Sequence, residues 1–580
     1  MQAAEPSLLA HRVADKRAAG SARRDTVWIG MLWVASLAPF FFIGLQHPVQ
    51  DLNEGLYARV AQEMLQSGNF VVPTLDGVPY LEKPPLLYWL TALGLFVFGR
   101  SDAVVRLAPM LGVLLTMLAL QRFAARTLPA RARAAAPFVL LSAPIVVVLG
   151  RVLLFDALLT GLLALALVLF HEWWRDGSRG LLRASYALLA LAVLAKGFVA
   201  LALFALVVVS FAASERRLPW RSMLEPGALA AFAAIAVPWH VAAALERPGF
   251  AWFYLVNEHV MRFLDRRVPH DYHTGPIWYY LARLPAYVFP WILVMLLPPD
   301  DGVDQSAEAR SARRFLWLWL LMPLAFFSLA GNKGDYYLIV SVPPLALLIA
   351  ERIARTRRFL ELVPAAALLA IAVASACMPL ATAPYVLPGS TTVLLALACI
   401  LACVSITALR SGHATIGIAS CAWVALPLAM GFSQFIAVNS MLKSARPLAE
   451  AIAALHPAVV YSYRDYETRS SLAWYLDRPI NVIDVDSREL WYGLTLKPMP
   501  MRFPSLSQVA GARPRVRAVL VVRDRDLPAV AGSPLANDFV DSLTVGRIHI
   551  WVSRPDDWEH DRAASTTATA NAPSRKHRGG

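Results

Sequence analysis

Charge is what this chain has least of: 16% of its 580 residues are Asp, Glu, Lys or Arg, against roughly 25% in soluble domains. Hydrophobic residues make up 58%, where soluble chains have roughly 45–50%. That excludes an ordinary water-soluble enzyme. Cysteine is scarcer still. Cys377, Cys399, Cys403 and Cys421 all sit in apolar runs with no CxxC or Cys/His spacing, so neither a disulfide framework nor a cysteine metal site is implied. Nor are there two related halves with ionisable residues at mid-membrane depth, the signature of a secondary transporter or flippase.

What the chain does have is long apolar runs. Thirteen spans are predicted near residues 27–46, 104–123, 134–150, 155–173, 184–195, 197–213, 227–245, 277–297, 315–330, 336–350, 361–380, 390–409 and 414–435. The stretch Pro84–Phe98 carries Tyr88 and Trp89 near its start and lies only five residues before the next span. It reads as an interfacial helix. The net charge of +14 would suggest nucleic acid in a soluble protein, but in a membrane chain it points first to cytoplasmic loops. With the N-terminus inside, segments 1–25, 122–133, 174–183, 214–222, 298–314, 351–358 and 409–413 hold 23 Lys and Arg. The opposite segments, 47–106, 150–154, 196, 246–276, 331–335 and 381–389, hold 11, and the bias favours this orientation.

The organisation that follows is a cytoplasmic tail over 1–26 and a transmembrane domain over 27–436 with outer loops 47–103 and 246–276. A small α/β domain over 437–560 and a disordered Ser/Thr/Ala-rich tail over 561–580 complete the chain. The basic start is a tail before a retained anchor rather than a cleaved signal. An odd span count leaves the α/β domain outside, with strands expected at Val459–Tyr463, Asn481–Val485, Ala518–Val522 and Ile548–Val552 and a helix around Arg446–Leu455.

The few ionisable residues fall mostly on that outer side. The first outer loop offers Asp51, Asn53, Glu54, Tyr57, Tyr80, Glu82 and Lys83; Asp156 opens a span; Lys196 stands between two apolar runs. Loop 246–276 offers Asn257, Glu258, His259, Arg262 and His273, and a short turn offers Lys333 and Asp335 before Tyr336 and Tyr337. Each also has a plain structural reading. Lys83 can snorkel, Asp156 can cap a helix, Lys196 can be a turn charge, and His259 can sit at the interface. Glu82 with His259 as metal ligands is a weak signal from two distant residues. Their spread over four separate outer loops nonetheless points to one polar cavity, since each charge facing lipid costs several kcal/mol. Cations with tyrosines and acids at a membrane rim suit a phosphate-headed lipid, whose charge of about −1.5 to −2 favours charge-assisted donors.

At these residues the chain resembles the bacterial branch of the protein O-mannosyltransferase superfamily, the GT-C glycosyltransferases that use polyprenyl-phosphate sugars. The matching pieces are Asn53–Ala58 (NEGLYA), Tyr80–Trp89 (YLEKPPLLYW), Phe155–Thr160 (FDALLT), Ala195–Gly197 (AKG), Asn257–Phe263 (NEHVMRF), His273–Pro276 (HTGP) and Lys333–Tyr337 (KGDYY). Among characterised members the chain is similar to the 4-amino-4-deoxy-L-arabinose lipid A transferases, which have thirteen spans and a periplasmic C-terminal domain. The resemblance implies an α-helical polytopic GT-C fold in the bacterial inner membrane. It also implies an inverting transfer from undecaprenyl phosphate to a periplasmic acceptor such as lipid A, with membrane lipid and no nucleic acid as partners. It assigns the donor phosphate to Lys83, Arg262, Tyr337 and Lys333 and lines the cavity with Tyr57, Tyr80 and Lys196. Catalytic carboxylates come from Asp156 and the first loop (Asp51, Asn53, Glu54), and zinc falls to Glu82 with His259. In the family's Asp-Glu-x-Arg-Tyr motif this chain has Asn53 for the aspartate and Leu56 for the arginine. Transfer to a protein or another glycan, or a catalytically silent receptor or transporter, are the competing readings.

Overall fold

The computed structural model describes residues 45, 47–217, 219–270, 274–296, 306–355, 365–370, 373, 389–411, 424, 427, 443–496, 503–510 and 516–554. The helices that frame the site are α1 (Asn53–Ser67), α2 (Leu86–Phe98), α3 (Leu107–Thr127), α4 (Ala130–Ser142), α5 (Phe155–Asp176), α6 (Arg179–Lys196), α7 (Val199–Ser214), α8 (Pro226–Glu246), α9 (Ala307–Leu329) and α10 (Val342–Arg355). Among the described residues, five helical segments are long and apolar enough to cross a membrane: Val104–Thr127, Phe155–Asp176, Pro226–Glu246, Ala307–Leu329 and Tyr337–Arg355. The protein is a multi-pass membrane protein. Residues 27–44 and nearly all of the predicted spans 361–380 and 414–435 lie outside the described residues, with Cys377 and Cys421. Cys399 and Cys403 are free thiols on helix α11 (Gly389–Arg410).

The central helix is α5, whose entire apolar window is buried, whereas α8 leaves Leu229, Val237, Val241 and Leu245 exposed. α3 packs on α5 through glycines. A Cβ on Gly112 would lie 2.2 Å from the Ala157 carbonyl oxygen, and one on Gly161 would lie 2.2 Å from that of Gly112. Such small-residue contacts let membrane helices approach closely where no hydrophobic effect drives them together. On its other side α3 turns Leu111, Leu114 and Leu118 outward, as lipid requires.

Two predicted spans differ. Residues 134–150 break at Ala143, whose extended backbone is what the following Pro144 demands. The predicted span 277–297 holds, over its described residues 277–296, two short pieces, Tyr279–Tyr287 and Ile292–Met295. Pro290, between the two pieces, lacks the N–H donor that would carry one helix through. The stretch expected to be an interfacial helix forms α2, with 13 residues; at 1.5 Å each that is about 20 Å, against a hydrocarbon core of about 30 Å. Its Leu93, Phe96, Val97 and Phe98 are exposed.

β1 (Thr74–Leu75) and β2 (Val78–Pro79) pair antiparallel ahead of α2, and the C-terminal chain folds around a five-stranded sheet of β3 (Val459–Tyr463), β4 (Asn481–Ile483), β5 (Ala518–Arg523), β6 (Phe539–Val545) and β7 (Ile548–Ser553), ordered β4-β3-β5-β7-β6. β3 pairs parallel with both β4 and β5, while β7 runs antiparallel to β5 and β6. β5 is buried on both faces, which its unbroken Ala-Val-Leu-Val-Val run anticipates. The expected strands are present and β6 is additional. Its exposed, mixed-polarity edge has no alternation to reveal it.

Candidate active site

Four helix ends meet at one end of the bundle. Asp156 lies in the first turn of α5, Lys196 ends α6, the turn 331–335 follows α9, and Tyr336 and Tyr337 precede α10. Pairs at the other end, Arg122–Glu172 (2.7 Å), Arg314–Glu215 (2.8 Å) and Arg313–Glu351 (3.3 Å), join helix to helix. At the site end the Asp156 carboxylate is ion-paired with the Lys196 ammonium. That ammonium also stands 4.5 Å from the Tyr337 ring centroid and 5.3 Å from that of Tyr336, within cation–π range. Gly197 makes the next step possible, with φ at +100° and no room for a Cβ beside His259 Nε2.

A second cluster adjoins the first, for Lys83 and Arg262 lie within electrostatic reach of Lys196. Glu258 is buried on an irregular helix, Trp252–Met261. Its Oε2 accepts from Arg262 Nη1 at 3.0 Å and faces Lys83 Nζ at 3.5 Å, while its Oε1 accepts from Arg267 Nε at 2.6 Å. Arg267 Nη2 donates to Glu82 Oε1 at 2.5 Å. Burial alone would push the Glu258 carboxyl up, but Lys83, Arg267 and Arg262 outweigh it and hold the group down at about 2. The Gly331 N–H on the Phe263 carbonyl (2.8 Å) ties the turn before Lys333 to this loop.

The C-terminal domain contacts both of the long loops, 47–103 and 246–276. Arg488 donates to the His270 carbonyl at 2.9 Å, and Tyr492 stacks on Phe253 with centroids 3.9 Å apart. Tyr80, buried, donates to Glu489 Oε2 at 2.7 Å. Tyr57 packs edge-on against Phe155 and donates to Asn53 at 3.4 Å. Asp51, Asn53 and Glu54 do not join the cationic cluster. Asp51 accepts from the Ser471 hydroxyl (2.6 Å) and amide (3.0 Å), and burial pushes its carboxyl up to about 7. Glu54 is held by Arg106 in a two-point bridge (3.0 and 2.9 Å) and accepts the Leu153 and Gln50 amides, so both its oxygens are committed.

Lys333, expected among the phosphate residues, lies with its ammonium against helix-end carbonyls. Its ammonium donates to the carbonyls of Phe327 (3.0 Å), Ser328 (2.7 Å) and Ala330 (2.6 Å), closing the C-terminus of α9 and using all three donors an ammonium has. Tyr337 donates to Asn332 at 2.8 Å. His273 lies outside the described residues.

Glu82 and His259 do not fit a zinc ion as arranged. His259 Nδ1 donates to the Tyr254 carbonyl at 2.6 Å, and its Nε2 accepts the Phe198 amide at 3.0 Å, leaving no lone pair for a metal. Burial lowers this imidazole to about 4, which keeps it neutral. Glu82 is paired with Arg267. Among the described residues no group of three or more His, Cys, Asp or Glu could hold a metal.

Two site residues escaped sequence reasoning. Arg267 stands in the Asp265-Arg266-Arg267 run, where a basic residue has no contrast, and Glu489 belongs to a domain read as separate.

Residues 82–241 match the family model for dolichyl-phosphate-mannose-protein mannosyltransferases. The chain is 32% identical over 317 residues to the undecaprenyl phosphate-alpha-4-amino-4-deoxy-L-arabinose arabinosyl transferase of Aeromonas salmonicida, a match covering 54% of this chain and 57% of the relative. It is 34% identical over 328 residues to the protein of the same name in Pseudomonas aeruginosa, covering 55% and 58%. The chain thus spans somewhat over half the length of the curated relatives it matches. In structure it is similar to ArnT from Cupriavidus metallidurans. The crystal structure bound to undecaprenyl phosphate superimposes with a TM-score of 0.77 at 23% identity, and the apo form with 0.79 at 22%, each covering 92% of this chain and 99% of the other. The chain has the GT-C fold of that glycosyltransferase and resembles the aminoarabinose transferases in sequence.

Proposed function

We propose that the protein is an inverting glycosyltransferase of the bacterial inner membrane. It moves a sugar from an undecaprenyl-phosphate or other polyprenyl-phosphate carrier to a periplasmic acceptor, lipid A or a related glycolipid. Thirteen spans, a cytoplasmic N-terminus and a periplasmic C-terminal domain complete the reading. The observation that carries it is the grouping of Lys83, Arg262 and Lys196 beside Tyr336 and Tyr337 at one end of a GT-C bundle.

In the transfer, the bond from the sugar's anomeric carbon to the phosphate oxygen breaks and its electron pair stays on the phosphate. The acceptor oxygen bonds the opposite face of that carbon. Lys83, Arg262 and Tyr337 hold the phosphate, and cations already in place stabilise the charge as it develops. Asp156 orients Lys196 and faces the positive charge that builds on the sugar ring. A phosphate acceptor, with a second pKa of about 6, is already an anion and needs no base. Asn53 in the usual aspartate position accords with such an acceptor.

The test is transfer in proteoliposomes containing undecaprenyl-phosphate sugar and lipid A, read by mass spectrometry. Lys83→Ala should lower kcat about 10²- to 10³-fold, the scale of removing one donor from a developing anion, at unchanged expression. Unimpaired transfer would refute the phosphate assignment.

A further inference from the structure

The joining of the two outer loops does not need a metal, because the chain supplies its own cation. Arg267 is buried and reaches Glu82 in the first loop with Nη2 (2.5 Å) and Glu258 in the second with Nε (2.6 Å). A guanidinium can do this because its donors lie in a rigid plane with two usable edges. The Glu258 oxygen left over holds Arg262 (3.0 Å) and Lys83 (3.5 Å).

We propose that Arg267 is a positioning residue that bridges Glu82 and Glu258, joining the two loops with its own charge, and thereby sets Lys83 and Arg262 to receive the donor phosphate. The inference rests on the reading of this cluster as a phosphate site. Without Arg267, two buried carboxylates compete for Lys83 and Arg262, and leaving a buried charge short of its partner is strongly unfavourable. Lysine restores the charge but cannot address both carboxylates with one planar fork.

The experiment uses the full-length protein in nanodiscs, with undecaprenyl phosphate as the probe and metal content read on the same samples. Wild type should bind undecaprenyl phosphate equally before and after EDTA dialysis and carry less than stoichiometric metal. R267A should bind roughly ten- to hundredfold more weakly, the range seen when a residue orienting a ligating group is lost. R267K should fall between, and added guanidinium should recover part of the binding in R267A and none in Lys83→Ala, which a merely structural defect would not do. Zinc at one per chain whose removal abolishes binding, or wild-type affinity in R267A, overturns the proposal. If R267A does not fold, wild-type metal content and EDTA response decide alone. Wild type that fails to bind undecaprenyl phosphate overturns the phosphate-site reading and this inference with it, whereas bound zinc overturns this inference alone.

Discussion

At the scale of single residues, the site is built from buried charges, each held by an opposite charge within hydrogen-bond or ion-pair distance. Lys83, Asp156, Lys196 and Arg262 were legible because a charge in an apolar chain must find a partner, and each has one at the site. The partners were less legible. Tyr80 meets Glu489 across 409 positions, and nothing local marks Glu489 as exceptional. Lys333, a conspicuous cation beside two tyrosines, is satisfied by helix-end carbonyls. Lys333→Met should therefore destabilise the protein, by about 1–3 kcal/mol for the buried carbonyls it leaves unpaired. Its donor KM should stay near wild type. A detergent-solubilised melting curve beside transfer kinetics checks both, and a raised KM at unchanged stability would return Lys333 to the phosphate.

At the scale of elements, most helices were readable from apolar length, and the departures have covalent causes. Pro144 and Pro290 interrupt runs that hydropathy alone draws as continuous. What hydropathy does not carry is which helices touch. The α3–α5 contact depends on Gly112 and Gly161, where the two backbones leave no space for a methyl group. Gly161→Leu should force these helices apart and cost at least the roughly 1–3 kcal/mol of overpacking, because the obstacle is backbone rather than a movable side chain. Loss of the folded fraction in size-exclusion chromatography would report it. Since Asp156 lies on α5 four residues before Thr160, whose hydroxyl bonds the Asp156 carbonyl, any surviving protein should also transfer sugar more slowly.

At the scale of the whole molecule, the α/β domain was visible as a change of composition, but its attachment was not. It is fastened to the first outer loop by Asp51–Ser471, by Tyr466 on Asp76 (2.9 Å), and by Trp474 and Tyr475 on Asp102 (3.3 and 3.1 Å). Asp51 makes that fastening sensitive to pH. Its carboxyl ionises near 3.8 when free and near 7 when docked, so the docked form favours the neutral acid. Docking strength is complete below about pH 4, falls as pH rises toward 7, and is level above. Limited proteolysis between pH 5 and 8 should show the C-terminal domain released more readily at the higher pH, and Asp51→Asn should flatten that dependence.

The central claim is that a phosphate-headed lipid docks at the end of the bundle where Asp156, Lys196, Lys83 and Arg262 meet. The most direct measurement is photocrosslinking with a diazirine-bearing undecaprenyl phosphate, followed by peptide mapping. Label should fall within 80–90, 254–267 and 331–340 and be competed away by unmodified undecaprenyl phosphate. Competable label confined to the opposite end, within 170–185 and 214–226, would contradict the account.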